Sequence, residues 1–412
     1  MDSAADRKNI NFVLVIAFLY VCFSMSFPKV YGSIKTVVLL FLVFISLVSM
    51  LSQRKLNITS KVMNWYILYI LYFAIWITVG YLKGNSDKAL TDSIRLNIVY
   101  TLCFLLLTSS FSNEKVVSIV FDAILVSNII ISVYTIMVLL NSLGITNFTF
   151  LSQMSTSYGI GVHDGYTKVG GDNLNMLVFT GAVTVFYHKN TTGRGKTWST
   201  ISIVLLFVAS LFSGRRLHQI LCVVYAVVLI LFGDKKNRGK SFVLLFLCVG
   251  SLYVLFERIP DFLSFETLVC RLKDSFSESS DNAKYTQIEA LLRGFAESPA
   301  IGNGFGATLR GYFRDAYEPW RFEVTYVAVL FQTGMIGIVY YIYLLSVNAI
   351  RLVRLKMETD AYLGALVFGY IIYMLSCFTN PLLGSFDFLF PQFILVMYYN
   401  YVSLVRMRRH RI

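Results

Sequence analysis

The stretch "ISIVLLFVASLFSGRRLHQILCVVYAVVLILF" (201–232) contains two apolar runs separated by a short polar junction, SGRRLHQ (213–219). A membrane-spanning helix needs about 20 mainly apolar residues, and each run approaches that length. The junction therefore predicts a helical hairpin that turns at a membrane surface. Because similar apolar runs recur along the chain, the sequence indicates an all-α polytopic membrane protein.

The composition of the 412 residues agrees, since 56% are hydrophobic and only 14% are charged. Soluble domains average roughly 25% charged residues. The apolar runs predict about twelve spanning helices. They are centred on residues 10–27, 34–51, 62–82, 94–111, 116–140, 173–188, 197–213, 216–233, 240–256, 322–348, 361–379 and 387–405.

These spans divide the chain into three regions. Residues 1–256 hold the first nine spans and an outer loop at 141–172. Residues 257–321 form one long outer segment, and residues 322–412 hold the last three spans and a basic cytoplasmic tail. We expect one membrane-embedded bundle, with the outer loop and the outer segment available to build a site.

The basic residues indicate the orientation, because Lys and Arg are enriched in cytoplasmic loops. With both termini inside, 20 of the 36 Lys and Arg residues lie in cytoplasmic segments and only 8 lie in short outer loops. Topology thus explains the net charge of +13, which does not predict nucleic-acid binding. Arg215 and Arg216 fall on the outer side against this bias, so they need another explanation.

Motifs for metals and nucleotides are weak in this chain. The four histidines, including His163 and His218, lack metal-ligand spacing, and no Asp-x-Asp pair occurs. The stretch TTGRGKT (191–197) lacks the first glycine of a phosphate-binding loop. We therefore expect neither a bound metal nor a cofactor.

The outer segment contains a predicted amphipathic helix, DNAKYTQIEALLRGFAES (281–298). Its apolar face comprises Ile288, Leu291, Leu292 and Phe295. Pro299 ends the helix, and three alternate glycines follow in SPAIGNGFG (298–306). A helix and a glycine-rich turn are therefore expected to lie on the membrane surface.

Three arginines are candidates for binding an anion. Arg215 and Arg216 stand at the start of the eighth span, where a helix N-terminus and planar guanidinium groups both suit phosphate oxygens. Contact with lipid headgroups is the alternative for this pair. Arg293 lies on the amphipathic helix, where a salt bridge with Glu289 or Glu297 is the alternative.

Glu323 is the candidate general base. It opens the tenth span, RFEVTYVAVLFQTGMIG (321–337), where a carboxylate can accept a proton from a sugar hydroxyl. An interfacial pair with Arg321 is the alternative. Asp387 begins the last span, and a helix cap is the better explanation there. Further candidates on the outer side are His218, His163 and Asp164.

IEALLRGFAESPAIGNGFG (288–306) and FEVTYVAVLFQTGMIG (322–337) resemble the signature of the bacterial O-antigen polymerase and ligase superfamily. The shared pattern is an arginine, an S-P-x-x-G-x-G turn, and a polar residue leading a helix with a later glycine pair. Arg293 and Gly304 fit an Arg-x10-Gly spacing of the polymerase branch, and Arg215 and Arg216 match its Ser-x-Arg region at a preceding helix junction. The ligase branch has His followed by Asn where this chain has Glu323 and Val324, which favours a polymerase.

The resemblance implies a GT-C-type glycosyltransferase on the outer face of the bacterial cytoplasmic membrane. Its donor would be a glycan on undecaprenyl diphosphate, and its acceptor another lipid-linked repeat unit of O-antigen, capsule or exopolysaccharide. Glu323 would deprotonate the acceptor, and the three arginines would hold the diphosphate without a metal. Aromatic residues expected to bind sugar faces are Tyr312, Tyr317, Trp320 and Tyr326.

Partners implied by the resemblance are lipid-linked oligosaccharides, membrane lipids and a polysaccharide chain-length regulator. Two alternatives stay open. One is an O-antigen ligase with a different acceptor. The other is a twelve-span secondary transporter or lipid-linked-oligosaccharide flippase, which is expected to show internal repeats and broken helices with polar residues near the membrane midplane.

Overall fold

The structure of the chain is a computed structural model in which most of the described residues are helical. It describes residues 4–110, 113–142, 144–154, 159–163, 166–232, 282–313, 316–355, 361–378, 380 and 382–409. The helices are α1 (Ala4–Ser26), α2 (Gly32–Gln53), α3 (Ser60–Leu82), α4 (Asp87–Ile94), α5 (Tyr100–Ser110), α6 (Glu114–Ser142), α7 (Leu174–Asn190), α8 (Gly193–Phe212), α9 (Arg216–Phe232), α10 (Asn282–Ala296), α11 (Thr325–Arg354), α12 (Ala361–Ser376) and α13 (Phe386–Arg409). A π-helical turn (Arg95–Val99) joins α4 to α5.

The apolar runs of the sequence coincide with helices, apart from the span at 240–256, which lies outside the described residues. Within the described part of the chain, six helices are long and apolar enough to cross a membrane. They are α2, the α4–α5 unit, α3, α6, α11 and α13. The chain is therefore a helical membrane protein, and the number of twelve spans remains a prediction.

Contacts between loops define the two ends of the helical bundle. At one end, which we call the upper end, the Lys29 ammonium lies 3.2 Å from the Asp172 carboxylate. At the other, lower end, the Asn400 carboxamide donates to the Asn57 carbonyl at 2.9 Å. Successive long helices alternate between the two ends, so the segment from α10 to the start of α11 lies at the upper end.

Helix α7 lies at the centre of the bundle and packs against α6, α8, α9 and α12. Most of its residues are buried, and the Thr180 hydroxyl donates to Asn128 Oδ1 of α6 at 3.2 Å. Small and polar residues suit contacts between membrane helices. This burial within protein explains why α7 has one of the weakest hydropathy signals among the predicted spans.

The predicted amphipathic helix is present as α10, which packs on α11. Leu291 is fully buried in a cluster with Ala328 and Phe331 of α11, and Ile288 packs against the same cluster. Leu292 was predicted on the buried face, but it is 44% exposed. One residue corresponds to about 100° of helix rotation, so Leu292 lies at the edge of the stripe that contains Leu291.

The glycine-rich turn after α10 fills an interruption in α11. Helix α11 is broken at Gly334, whose φ is 67°. The Met335 N–H donates to the Pro299 carbonyl at 2.9 Å, and the Gly304 N–H donates to the Gln332 carbonyl at 2.7 Å. Backbone groups released by the break are therefore bonded by the turn, which fixes the turn against the bundle.

The outer loop predicted at 141–172 contains a β-hairpin that the spans did not indicate. Strands β1 (Gly159–His163) and β2 (Tyr166–Gly170) pair antiparallel. The Val169 N–H donates to the Ser213 carbonyl at 3.0 Å, which joins the hairpin to the α8–α9 junction. The hairpin is therefore hydrogen-bonded to the junction that carries Arg215.

Candidate active site

A cavity of about 530 Å³ opens at the upper end of the bundle. Its walls come from α4 and the π-helical turn, from the glycine-rich turn, and from the segment that leads into α11. Residues just before α13 and Lys29, in the loop after α1, complete the lining. The predicted base Glu323 lies in this lining.

Charged side chains gather at the mouth of the cavity. Among the described residues, the lining includes three cations, which are Lys29, Arg95 and Arg321. Their side chains are 40%, 64% and 55% exposed, respectively. Arg95 donates to the Asp92 carboxylate at 2.8 Å, and Arg321 pairs with Glu318 at 2.6 Å. Each of the three cations is therefore paired with a carboxylate, and the lining itself also contains the carboxylates of Asp92 and Glu323.

Glu323 is positioned by α10. The Glu323 and Val324 N–H groups both donate to Oε1 of the fully buried Gln287, at 2.9 and 3.3 Å. These groups immediately precede α11, so a side chain from α10 satisfies donors at the start of that helix. The arrangement places a half-buried carboxylate in the same cavity lining as Arg95 and Arg321.

The bottom of the cavity is neutral and polar. Asn97 and Gln332 are only 6% and 8% exposed, and both line the cavity beside aromatic side chains. Asn97 belongs to the π-helical turn, and its Nδ2 donates to the Ser93 carbonyl at 3.3 Å. Short π-helical segments occur frequently at functional sites because they redirect side chains.

The four predicted sugar-binding aromatics have different surroundings. Trp320 lines the cavity, and the Lys88 ammonium lies 5.6 Å from the centre of its ring. The Tyr312 hydroxyl accepts from Gln287 Nε2 at 3.5 Å. Tyr317 is 88% exposed, and the Tyr326 hydroxyl donates to the Met374 carbonyl at 2.9 Å. Of these four, Trp320 alone belongs to the described lining.

Arg215 is largely enclosed by protein. Its guanidinium donates to Asn175 Oδ1 at 3.1 Å and to the Gly171 carbonyl at 3.2 Å. Burial lowers the pKa of the Arg215 guanidinium, and the nearby Asp172 carboxylate opposes that effect. Because Asp172 also pairs with Lys29, Arg215 supports a segment that reaches the cavity wall. This enclosure does not fit the alternative of contact with lipid headgroups.

Other predicted phosphate-binding groups lie outside the described cavity lining. Arg216 begins α9 and is half-buried, and His218 is buried on the same helix. Arg293 lies on the exposed face of α10, where it pairs with Glu289 at 2.7 Å. This is the salt bridge that the spacing along the helix offered as an alternative.

Asp387 forms a buried ion pair in place of the expected helix cap. Its carboxylate accepts from Lys35 Nζ at 3.0 Å and from the Lys29 N–H at 2.7 Å. Charges removed from water need this kind of pairing. The pair ties the loop that carries Lys29 to the start of α13. His163 ends β1, and Asp164 lies outside the described residues.

No protein-family model matches the chain, and no curated protein matches it. The functional interpretation therefore rests on the chemistry of the cavity and on the sequence resemblance.

Several cavity residues were missed in the sequence. Asn97 and Gln332 are polar residues within apolar spans, a pattern that usually marks a functional position. Arg95 stands at the outer beginning of a span, a side on which Lys and Arg are less common, so its position was a signal that the sequence contained. Lys29 lies between two spans, and its part in the cavity depends on contacts with distant segments.

Proposed function

We propose that this protein is a polysaccharide polymerase that acts on lipid-linked sugars. It transfers a glycan from undecaprenyl diphosphate to the terminal sugar of another lipid-linked repeat unit, in O-antigen, capsule or exopolysaccharide synthesis. The observation that carries the proposal is a single cavity containing a carboxylate, Glu323, and three cations. A glycosyl transfer with a diphosphate leaving group needs one general base and preplaced positive charge.

In the proposed reaction, a hydroxyl oxygen of the acceptor sugar attacks the anomeric carbon of the donor. The bond between that carbon and the diphosphate oxygen breaks, and the lipid diphosphate leaves with the bonding electrons. Glu323 accepts the proton of the attacking hydroxyl. The cations at the mouth stabilise the negative charge that develops on the diphosphate.

We assign direct contact with the diphosphate to Lys29, Arg95 and Arg321. These side chains line the same cavity as Glu323, whereas Arg215 is enclosed by α7 and its preceding loop. Arginine presents several donors in a planar fork that matches phosphate oxygens. Because three cations supply the charge that a divalent metal supplies in other enzymes, we propose a metal-independent transfer.

The distribution of basic residues supports an outward-facing cavity. The last turns of α11 and α13, at the lower end, contain Arg351, Arg354, Arg406, Arg408 and Arg409. Enrichment of arginine marks the cytoplasmic side of a membrane protein. We therefore propose a bacterial cytoplasmic membrane location, with both termini inside and the cavity outside. A chain-length regulator is a further proposed partner.

The hydrogen bonds at the break in α11 argue against the transporter alternative. In transporters, broken helices present free backbone groups to ions or substrates. Around Gly334, the Met335 and Ile336 N–H groups instead donate to the Pro299 and Ala300 carbonyls at 2.9 and 3.2 Å. The break thus anchors the glycine-rich turn, which supports an enzyme with a fixed site. The ligase alternative differs only in its acceptor.

The test is a reconstituted polymerisation assay. Purified protein in liposomes receives lipid-linked repeat units, extracted from the source cells, in excess chelator. We expect a ladder of longer lipid-linked glycans, because the proposed reaction needs no divalent metal. Transfer of the substrate across the bilayer without lengthening would instead support the flippase alternative. Lengthening that stops on addition of chelator would contradict the metal-independent mechanism.

Replacement of Arg95 by Ala is expected to reduce kcat/KM for polymerisation roughly 10-fold. The expected loss is near the low end of the free-energy range for charge-assisted hydrogen bonds, because the Arg95 guanidinium is partly exposed to water. The Arg95→Lys variant should recover only part of the loss, since lysine lacks the planar fork. The control is Arg310→Ala, which removes an exposed arginine outside the described cavity lining. Equal rates in the Arg95→Ala and control variants would remove Arg95 from the diphosphate site.

A further inference from the structure

The cavity contains two chemically different zones. Its cations at the mouth have side chains between 40% and 64% exposed. Deeper in the lining, Asn97 and Gln332 are less than one-tenth exposed, and each carries a neutral carboxamide. A ligand that fills the cavity therefore meets charge at one end and neutral hydrogen-bonding groups at the other.

Gln332 is the most informative residue of the deeper zone. Within the described part of the chain, the structure records no hydrogen bond from its side chain, although the residue is 8% exposed. Its backbone is fixed, because the Gln332 carbonyl accepts from the Gly304 N–H at 2.7 Å. Because Gln332 lines the cavity and its amide atoms are not among those sealed from solvent without a partner, the carboxamide is open to the cavity, where a ligand could bond it.

The surroundings of Gln332 suit a polar but uncharged ring. Asn97 supplies a second amide, and the aromatic side chains of Phe73, Phe305 and Tyr341 line the same cavity. Apolar walls with a few placed polar groups are typical of sites for small uncharged ligands. A carboxylate buried in this zone would lack the cations that the mouth provides, and burial of an unpaired charge is strongly unfavourable.

We propose that Gln332 hydrogen-bonds a hydroxyl or acetamido group of an uncharged sugar ring held at the bottom of the cavity. The diphosphate stays at the mouth, near Arg95 and Arg321. This inference rests on the proposed function for the identity of the ligand. It adds that the sugar next to the reacting centre is a neutral hexose or N-acetylhexosamine and that Gln332 selects it.

The experiment uses Gln332→Met, which keeps the length of the side chain and removes its hydrogen bonds. The control is Gln392→Met on α13, the same chemical change at a more deeply buried glutamine that lies outside the described cavity lining. The probe is the lipid-linked oligosaccharide extracted from the source cells. Its equilibrium binding is measured in the Glu323→Gln background, so that turnover does not disturb the measurement. Polymerisation is measured separately with intact Glu323.

We expect Gln332→Met to raise the dissociation constant roughly 10-fold, since the variant leaves a sugar group unpaired in a buried site. The control should bind as the parent does, and analysis of the probe should show a neutral sugar at one end of the repeat unit. Unchanged binding in Gln332→Met, or carboxylated sugars at both ends of the repeat unit, would overturn the inference.

Failure of the proposed polymerase function would give different results in the binding and polymerisation assays. If the parent binds the probe and Gln332→Met weakens binding, but no polymer forms, the sugar site stands and the polymerase proposal fails. If polymer forms at the parent rate and KM in Gln332→Met, the polymerase stands and the sugar site fails. If the parent does not bind the probe, both are overturned.

Discussion

Replacement of Glu323 by Gln is expected to reduce the rate of polymerisation roughly 100- to 10,000-fold, the range contributed by a general base. Glutamine keeps the size of the side chain but cannot accept the proton of the acceptor hydroxyl. The hydrogen bond that positions residue 323 comes from its backbone N–H to Gln287, so the substitution leaves it intact. The loss should therefore appear in kcat, with KM for the lipid-linked substrate little changed.

The matched control is Glu297→Gln, the same chemical change at an exposed position just after α10. It should polymerise at the parent rate. The assay measures the initial rate of glycan lengthening by purified protein, with the monodisperse fraction checked for each variant. A Glu323→Gln variant that makes polymer as fast as the control would show that another group is the base.

Replacement of Gly304 by Ala is expected to destabilise the protein strongly. Gly304 has a φ of 78°, and a Cβ at this position would lie 2.3 Å from Cα and N of Gly80. Backbone atoms of α3 cannot rotate away as a side chain does. The left-handed conformation contributes about 1–2 kcal/mol and the overpacking about 1–3 kcal/mol, so we expect a loss of about 2–5 kcal/mol.

Gly311 provides a control that separates these two effects. Its φ of 74° is nearly the same, but a Cβ there would have no atom within 4 Å. Gly311→Ala should therefore show the backbone cost alone. The measurement is the temperature at which half of the detergent-solubilised protein is lost from the monodisperse peak. Equal shifts in the two variants would mean that the close approach to α3 adds nothing to stability.

Gly304→Ala should also impair polymerisation at temperatures where the protein remains folded. The turn holds Phe305 and Gly306 in the cavity wall, and the Gly304 N–H fixes the Gln332 carbonyl. Displacement of this segment would move the aromatic wall and the amide at the bottom together. The glycine pattern that suggested the family thus has a physical role in shaping the cavity.

Hydropathy and periodicity predicted most of the described helices, because burial in lipid selects apolar residues locally along the chain. The amphipathic helix α10 was found in the same way, from the spacing of Ile288 and Leu291. The short helix α4 was not predicted. The β-hairpin was missed, although alternating residues on either side of Asp164–Gly165 are typical of a hairpin. The hairpin lies between the apolar runs, so a prediction based on membrane spans alone does not include it.

The candidate site was predicted only in part. Glu323 and Trp320 were singled out and do lie in one cavity. Arg215 was predicted to bind phosphate because it is an arginine on the predicted outer side of the membrane. Neither property distinguishes an enclosed guanidinium group from an accessible one. The Arg215 guanidinium bonds Asn175 at the start of α7 and the Gly171 carbonyl before it, so two of its nitrogens are engaged by the protein itself.

The sequence by itself determined that this is a helical membrane protein, roughly where most of its described helices lie, and that Glu323 leads one of them. These properties depend on residues close together in the chain. Only the tertiary structure decided which cations share a cavity with Glu323. Lys29, Arg95 and Gln332 come from widely separated segments, and the tertiary packing at the upper end brings them to one cavity. Their proximity is a property of packing, which no local pattern encodes.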